Sequence, residues 1–450
     1  MGNKSEDKLR KFPIGGVHLP EEKLLTSDRE IETMPPPEKV VIPVKQHIGV
    51  PGNLIVEEGQ YVKRGQPLTE PPDNGFSAII HASISGTITS IEERETMFGD
   101  SQVNCVIIKR ENEGTDDIDF HQEIIGENTD KSPESVKKIV QRAGIAGMGG
   151  AGFPTHIKLS PPEDKKIDTA LINGAECEPY LTVDDRLMQE EAPEIFTGLE
   201  LLRNTVSAEE GIVACEANKP RALEKLAQEA ENWERLRSVP LDTRYPHGAE
   251  KHLIKAVLDR EVPLRGLPMD VGVLVNNVQT SIAVARAVNE GYPLIERVIT
   301  VSGRGISNPS NVMVPIGTRI RDVLDYCGGI TSEQYIPVIG GPMTGYRIDN
   351  LDIPVLKTTT GIVVLNEEEF EESETRVCIR CGKCVDVCPA YITPNRITDY
   401  VNNKMYSEAQ AIGLEDCIEC GACAFVCPSK RPLLRWLRKG KAALNDEEVN

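Results

Sequence analysis

Eight of the twelve cysteines fall into two copies of one pattern near the C-terminus. The first copy is Cys378-x2-Cys381-x2-Cys384-x3-Cys388-Pro389, and the second is Cys417-x2-Cys420-x2-Cys423-x3-Cys427-Pro428. Three cysteines on one tight loop wrap a face of a [4Fe–4S] cube, and a distant fourth closes it. In such a run the fourth cysteine ligates the other cluster of a pair. The spacing predicts one cluster on Cys378, Cys381, Cys384 and Cys427, and another on Cys417, Cys420, Cys423 and Cys388. Disulfides and structural zinc are the competing readings. Zinc usually takes its ligands as two cysteine pairs, so a third cysteine and a trailing Cys-Pro in both runs argue against it. A chain of this kind carries single electrons.

The remaining cysteines, Cys105, Cys177, Cys215 and Cys327, have no disulfide spacing, which suits a reducing, cytoplasmic compartment. The start of the chain is charged and lacks the apolar centre of a signal peptide. No apolar run approaches the roughly 18 residues that span a bilayer. A net charge of −20 argues against nucleic acid as a partner. Residues 430–441, KRPLLRWLRKGK, reverse that balance with six cations and no acid. They form either a basic helix for a membrane surface or membrane-embedded partner, or a terminal helix packed on the cluster domain.

At 450 residues several domains are expected. Residues 1–30 look like an arm. Residues 31–111 hold short β-like runs (40–42, 53–56, 77–80, 86–89 and 106–108) separated by glycine turns, as in a small sandwich or barrel. Within them, residues 56–68 resemble biotinyl or lipoyl domains but carry no lysine at the carrier position. Residues 112–131 are polar and acidic, a linker. Ser132-Pro133-Glu134 starts a helix through Ala143, with Ser as cap and Pro in the first turn. Strand-like segments 170–173, 211–215, 271–276 and 298–302 alternate with helix-like segments 221–237, 249–258 and 280–290. That alternation predicts an α/β domain over 132–300 with a largely parallel sheet. Residues 301–365 read as a small α+β module with one helix at 320–326. Residues 367–374 are an acidic linker inside a cluster domain spanning 366–430, and 431–450 form the basic tail.

Two segments of the α/β domain carry candidate chemistry. Residues 144–152 contain five glycines, Gly144, Gly147, Gly149, Gly150 and Gly152, followed by Phe153, Pro154 and Thr155. Glycines let backbone N–H groups approach a phosphate, and Lys158 stands one turn on; a flexible hinge is the alternative. Asn173-Gly174-Ala175-Glu176-Cys177-Glu178-Pro179 ends the next strand, followed by Asp184-Asp185-Arg186. Ligands of open α/β sheets bind beyond such strand ends; a solvated acidic loop is the alternative.

Together these motifs resemble the FMN/NADH-binding flavoprotein subunit of respiratory complex I. The resemblance lies in Gly147-x-Gly149-Gly150-Ala-Gly152-Phe-Pro-Thr, in Asn173 through Pro179, in Asn276-Asn277-Val278-Gln279-Thr280, and in Tyr245 through Glu250. Ala175, Ala249 and Gln279 stand where that family has acids. Over residues 10–430 the chain more closely resembles the RnfC family of Rnf electron-transport complexes. Phe12-Pro-x-Gly15-Gly16-Val17-His18, His81-Ala82-Ser83-x-Ser85-Gly86, the glycine loop, the 302–345 module and both Cys runs follow that family's order.

The resemblance implies a multidomain α/β and α+β fold. Its parts are an N-terminal barrel-sandwich hybrid, a Rossmann-like FMN/NADH domain, a β-grasp-like (SLBB-type) module and a ferredoxin-like domain with two [4Fe–4S] clusters. Gly147, Gly149, Gly150, Gly152, Phe153, Thr155, Lys158, Asn173, Asn276 and Asn277 would bind FMN. Glu176 and Glu178 would act catalytically by orienting the nicotinamide of NAD(H), with Glu250 on the dinucleotide side. The implied function is that of a peripheral subunit of an ion-translocating ferredoxin:NAD oxidoreductase. It would lie on the cytoplasmic side of the inner membrane, beside an iron–sulfur subunit and integral membrane subunits. A flavin-dependent cobalamin reductase and a non-catalytic electron relay are the rival readings.

Overall fold

The computed structural model describes residues 9–96, 99–111, 116–370 and 374–448. Residues 9–30 are stitched onto the α/β domain. The Arg10 amide donates to the Pro240 carbonyl at 2.9 Å, and its carbonyl accepts from Asp242 at 2.8 Å. The Phe12 ring stacks on His252 and meets His247 edge-on, each at 5.3 Å between centroids.

Strands Lys39–Pro43, Gly99–Lys109, Gly86–Thr96 and Tyr61–Val62 form an antiparallel sheet facing the pair Asn53–Leu54 and Thr69–Glu70. Val40, Ile42, Val62, Leu68, Ile80, Ile88 and Ile108 fill the space between. Residues 77–80, expected as a strand, are extended without a ladder. Side chains satisfy them instead: Ala78 donates to His47 Nε2 at 3.0 Å and Ile80 to Thr69 Oγ1 at 2.9 Å.

The expected linker packs as structure. Residues 112–115 lie outside the described residues, but the turn His121–Ile125 buries Ile124 and Ile125. Beside it, Arg64 pairs with Asp117 at 2.8 Å and lies over the Phe120 and Tyr292 rings.

Helix Pro133–Arg142 starts as its sequence predicts, with the Ser132 hydroxyl accepting from the Ser135 amide at 3.3 Å. Four parallel strands follow, ordered Leu236–Leu241, Glu210–Glu216, Thr169–Gly174, Val273–Asn277. The chain enters at Thr169–Gly174, steps outward twice, then returns to the other side of its first strand. The helix expected over 221–237 ends at Ala230, and Leu236–Leu241 becomes the edge strand, where Pro240 needs no ladder donor. Helices Val183–Glu190 and Ala192–Thr205 have no counterpart in the sequence reading. Ala192–Thr205 packs so closely on Val278–Glu290 that a Cβ on Gly198 would stand 1.9 Å from the Ser281 carbonyl oxygen.

A six-stranded mixed sheet comes next, ordered Ile31–Thr33, Ser310–Pro315, Glu296–Ser302, Gly361–Asn366, Tyr335–Ile339, Tyr346–Arg347, with helix Ile320–Tyr326 against it. It takes one strand from the start of the 31–111 segment and one from the end of the 132–300 segment. Strand 298–302, expected in the parallel sheet, thus belongs here, antiparallel to Ser310–Pro315.

In the cluster domain, helix Leu433–Glu448 buries Leu433, Leu437 and Leu444 together with Ile397, Val401 and Leu414. Three of its neighbourhood's cations have internal partners. Arg431 binds Asp399 at 2.7 Å, Arg438 binds Glu419 at 3.2 Å, and Lys441 binds Glu419 at 3.0 Å. Of the two readings of this segment, packing on the cluster domain is the one these bonds realise. Among the described residues no helix is long and apolar enough to cross a membrane.

Candidate functional site

The strand order reverses between Thr169–Gly174 and Val273–Asn277, and Asn173 and Asn277 are Cα partners across that seam. Ligands of open α/β sheets sit at this switch point, outside the carboxyl ends of the strands. The 13-residue helix Val278–Glu290 begins there, its first turn capped by Asn277 Oδ1, which accepts from Gln279 N at 2.8 Å. A helix N-terminus pointing into a switch point favours an anion.

The glycine loop docks on that helix. Its ends pair at Gly147 N to Phe153 O (2.9 Å) and Thr155 N to Ile145 O (2.9 Å). Met148 N donates to Thr280 Oγ1 at 3.0 Å, and a Cβ on Gly149 would stand 3.1 Å from Asn277 Cβ. Gly150 has φ +74° and open space where a side chain would begin. Gly152, at φ +71°, is wedged against Thr358, Gln46 and His47 of the two flanking modules. Phe153 packs on Phe76 at 5.1 Å.

Lys158 donates to the Val275 carbonyl at 2.8 Å and stands 3.8 Å from Glu250; both are half-exposed at the mouth of the site. Asn173 donates to the Gly248 carbonyl at 2.9 Å. Asn276 is buried at the end of its strand, and the Asn277 carboxamide donates to Asp184 Oδ2 at 2.8 Å. Asp184 Oδ1 and Thr155 Oγ1 are buried and have no protein partner.

Glu176 and Glu178 are engaged differently from what the sequence reading expects. The Glu176 carboxylate accepts from the Asp184 and Asp185 amides at 2.9 and 3.3 Å, capping helix Val183–Glu190. Glu178 accepts from the Met343 and Thr344 amides at 3.1 and 2.9 Å, tying this loop to the six-stranded module. Lys23, buried, donates to the carbonyls of Glu176 (2.9 Å) and Glu178 (3.0 Å). Burial pushes both carboxyls up from their ordinary range, against the pull of Lys23.

Two buried cations behind the loop escape sequence reading. Arg297 donates to the Met148 carbonyl at 3.2 Å and to that of Lys357. Lys357 donates to the Gly144 and Ile79 carbonyls at 2.7 and 2.8 Å. Burial lowers Lys357 to about 7 and Arg297 to about 9, the latter opposed by Asp184. Asp184 is pushed up to about 7 by burial and then by Glu176. Neither cation lies in a recognisable motif; only the fold brings them to the loop.

In the cluster domain none of the eight cysteines is joined in a disulfide. Cys378, Cys381, Cys384 and Cys427 line one cavity. Cys417, Cys420 and Cys423 all lie within electrostatic reach of Cys388. The fourth cysteine of each run therefore sits with the other run. Among the described residues no three His, Cys, Asp or Glu converge on a single ion. Thiols spread around a cavity instead suit a cube in which each sulfur meets its own iron. Burial raises Cys417 to about 11 and Cys420 to about 12; iron inverts that preference by holding thiolate.

The two sets differ in depth. Cys420 and Pro389 touch the α/β domain, through Tyr245 Oη to the Cys420 carbonyl (2.6 Å) and His252 Nε2 to the Pro389 carbonyl (2.8 Å). Cys381 is exposed, and Val377 and Ile379, on either side of Cys378, are 88% and 68% exposed.

Known families match this order of parts. Residues 11–113 match the RnfC barrel sandwich hybrid domain, 140–286 the Nuo51 FMN-binding domain, 298–347 the SLBB domain, and 371–428 the 4Fe-4S dicluster domain. In the H2-reduced NAD+-reducing [NiFe]-hydrogenase, one chain aligns with a TM-score of 0.50 at 20% identity, covering 69% of this chain and 63% of that one. That likeness is one of fold alone. The fold and sites define an electron-transfer subunit built to hold FMN and two [4Fe–4S] clusters.

The RnfC-type component of the proton-translocating ferredoxin:NAD(+) oxidoreductase complex of Clostridium ljungdahlii is 43% identical over 94% of this chain and 92% of its own length. Its counterpart in the Na(+)-translocating complex of Acetobacterium woodii is 43% identical over 95% and 96%. The counterpart in the ion-translocating oxidoreductase complex of Rhodobacter capsulatus is 41% identical over 98% and 85%. The chain belongs to this family, the RnfC proteins of ion-translocating oxidoreductase complexes, as the motifs predict.

Proposed function

We propose that this chain passes electrons between NAD(H), FMN and two [4Fe–4S] clusters, as a peripheral subunit on the cytoplasmic face of membrane-embedded partners that include an iron–sulfur subunit. The observation that carries the reading is the glycine loop seated on a helix N-terminus at the switch point. FMN, when bound, supplies the conversion of a two-electron hydride into single electrons. The amides of residues 149–152 and those at the Val278–Glu290 N-terminus other than Gln279 N would bind its phosphate, the Gly147 and Met148 amides being taken up in closing and docking the loop. Asn276 would orient the flavin, with Asn277 as a positioning residue whose carboxamide is engaged by Gln279 N and Asp184. Thr155 Oγ1 and Asp184 Oδ1 are buried polar atoms that no protein group satisfies. Lys158 and Glu250 meet the dinucleotide at the mouth. Asn173 fixes Gly248 beside them.

Glu176 and Glu178 shape the nicotinamide side as positioning residues, because chain amides already occupy their carboxylates. Cys417, Cys420, Cys423 and Cys388 hold the proximal cluster; Cys378, Cys381, Cys384 and Cys427 hold the distal one, nearer the surface. Two relatives of equal identity are named for different ions, in keeping with ion movement by other subunits. Anaerobically reconstituted protein should contain one FMN and about eight irons, and NADH should bleach the flavin. A flavin that dithionite reduces and NADH does not would end the NADH assignment.

A further inference from the structure

The distal set of cysteines has a charged neighbour that the electron-transfer reading does not use. Arg431 follows Cys427-Pro428-Ser429-Lys430 and is 8% exposed. Its Nη2 donates to Asp399 Oδ1 at 2.7 Å, and its guanidinium lies 4.9 Å over the Trp436 ring. These two contacts fix the plane of the group. Its Nη1 is buried with no protein partner. Arg431 lines the cavity ringed by Cys378, Cys381, Cys384 and Cys427, and it is within electrostatic and hydrogen-bonding reach of Cys378, one of the four sulfurs that would hold the cluster. Asn395 lines the same cavity, and its Oδ1 is likewise buried and unpartnered.

A buried guanidinium N–H without an acceptor is costly, and native folds rarely leave one. A cavity walled by four thiols names the missing acceptor: sulfur of the cluster. The proximal set is treated otherwise. Lys441 gives its protons to the Cys417 carbonyl at 2.8 Å and to Glu419 at 3.0 Å, so a carboxylate cancels its charge. The carboxylate on Arg431, Asp399, is 60% exposed and screened by water.

We propose that Arg431 sets the potential of the distal cluster, donating Nη1–H to cluster sulfur and making that cluster easier to reduce than its proximal neighbour. Reduction adds one electron, arriving from the proximal cluster, and no proton need move. The added negative charge is stabilised by a cation and a hydrogen bond, the protein's usual levers on such potentials. The inference rests on the assignment of Cys378, Cys381, Cys384 and Cys427 to one cluster. It does not require NADH to be the electron donor.

The test is an EPR-monitored redox titration of the reconstituted full chain, beside its Arg431→Met and Arg431→Lys variants, with iron content measured on each. Cys381→Ser identifies the distal signal as the one it perturbs. The Met variant should keep its iron and lower the distal potential by about 59 mV, a tenfold change in a one-electron equilibrium. The proximal potential should stay fixed, and the Lys variant should fall between. Unmoved potentials at full iron content would overturn the proposal. So would equal shifts of both clusters, or loss of the distal cluster from the Lys as well as the Met variant, which would mark Arg431 as an assembly residue. A flavin that ignores NADH in these samples would count against the proposed function and leave the potentials readable.

Discussion

The phenol of Tyr245 donates to the carbonyl of Cys420 at 2.6 Å. Three residues on, the Gly248 carbonyl holds the Asn173 carboxamide at 2.9 Å. One short segment thus touches both the proximal cysteine loop and the switch point of the flavin domain. Burial, with Glu178 nearby, pushes the phenol far up, so this bond does not titrate near neutrality. Tyr245→Phe should leave flavin bleaching by NADH unchanged and slow cluster reduction about fivefold, the equivalent of about 1 kcal/mol for one hydrogen bond. Stopped-flow absorbance at flavin and cluster wavelengths separates the two steps.

Gly152→Ala puts a Cβ 2.7 Å from Thr358 Cγ2 at a φ of +71°. The left-handed conformation alone costs about 1–2 kcal/mol for a residue with a side chain. FMN affinity should fall about tenfold while iron content holds, as measured by flavin fluorescence and iron assay.

Cysteine replacements should pair across the runs. Cys427→Ala and Cys378→Ala should abolish the same EPR signal, and Cys388→Ala and Cys420→Ala the other. Each leaves about four of about eight irons. Pairing within a run, with Cys388→Ala matching Cys378→Ala, would contradict the arrangement of the thiols.

Lys357 gives a pH signature. Burial lowers it from 10.5 to about 7. Between these values the unfolded chain holds a proton that the folded chain has released. This group's contribution therefore makes stability rise with pH across that window and is least favourable below it. Lys357→Met should remove that slope, seen as apparent Tm of the holoprotein between pH 7 and 10. It should also cost about 1–3 kcal/mol by leaving the Gly144 and Ile79 carbonyls unpaired.

Glu178→Gln retains one acceptor where the structure uses two oxygens on Met343 and Thr344. Stability should drop by about 1–3 kcal/mol, and NADH-dependent bleaching should slow less than tenfold. A loss of a hundredfold or more with unchanged stability would restore Glu178 to direct contact with the nicotinamide.

Local chemistry was enough for features whose cause is local. Ser132 and Pro133 start a helix because the cap and the fixed φ act within one turn. The two Cys runs gather their thiols into sets, one of them around a cavity, because ligand spacing along a loop is itself the geometry. The parallel α/β domain was legible in the alternation of its segments, while 182–205 was missed. Its helices are held by long-range packing, such as Gly198 on Ser281, that no periodicity encodes.

Tertiary structure decided the rest. Asn173 and Asn277 are more than a hundred residues apart in the sequence, and only the return of the chain across its first strand makes them neighbours. Glu176 and Glu178 read as open acids until the fold supplied amides for them. Arg297, Lys357 and Arg431 are unremarkable cations in the sequence. Burial decides what they do, because a charge withdrawn from water must answer to whatever carbonyl, carboxylate or sulfur the fold sets beside it.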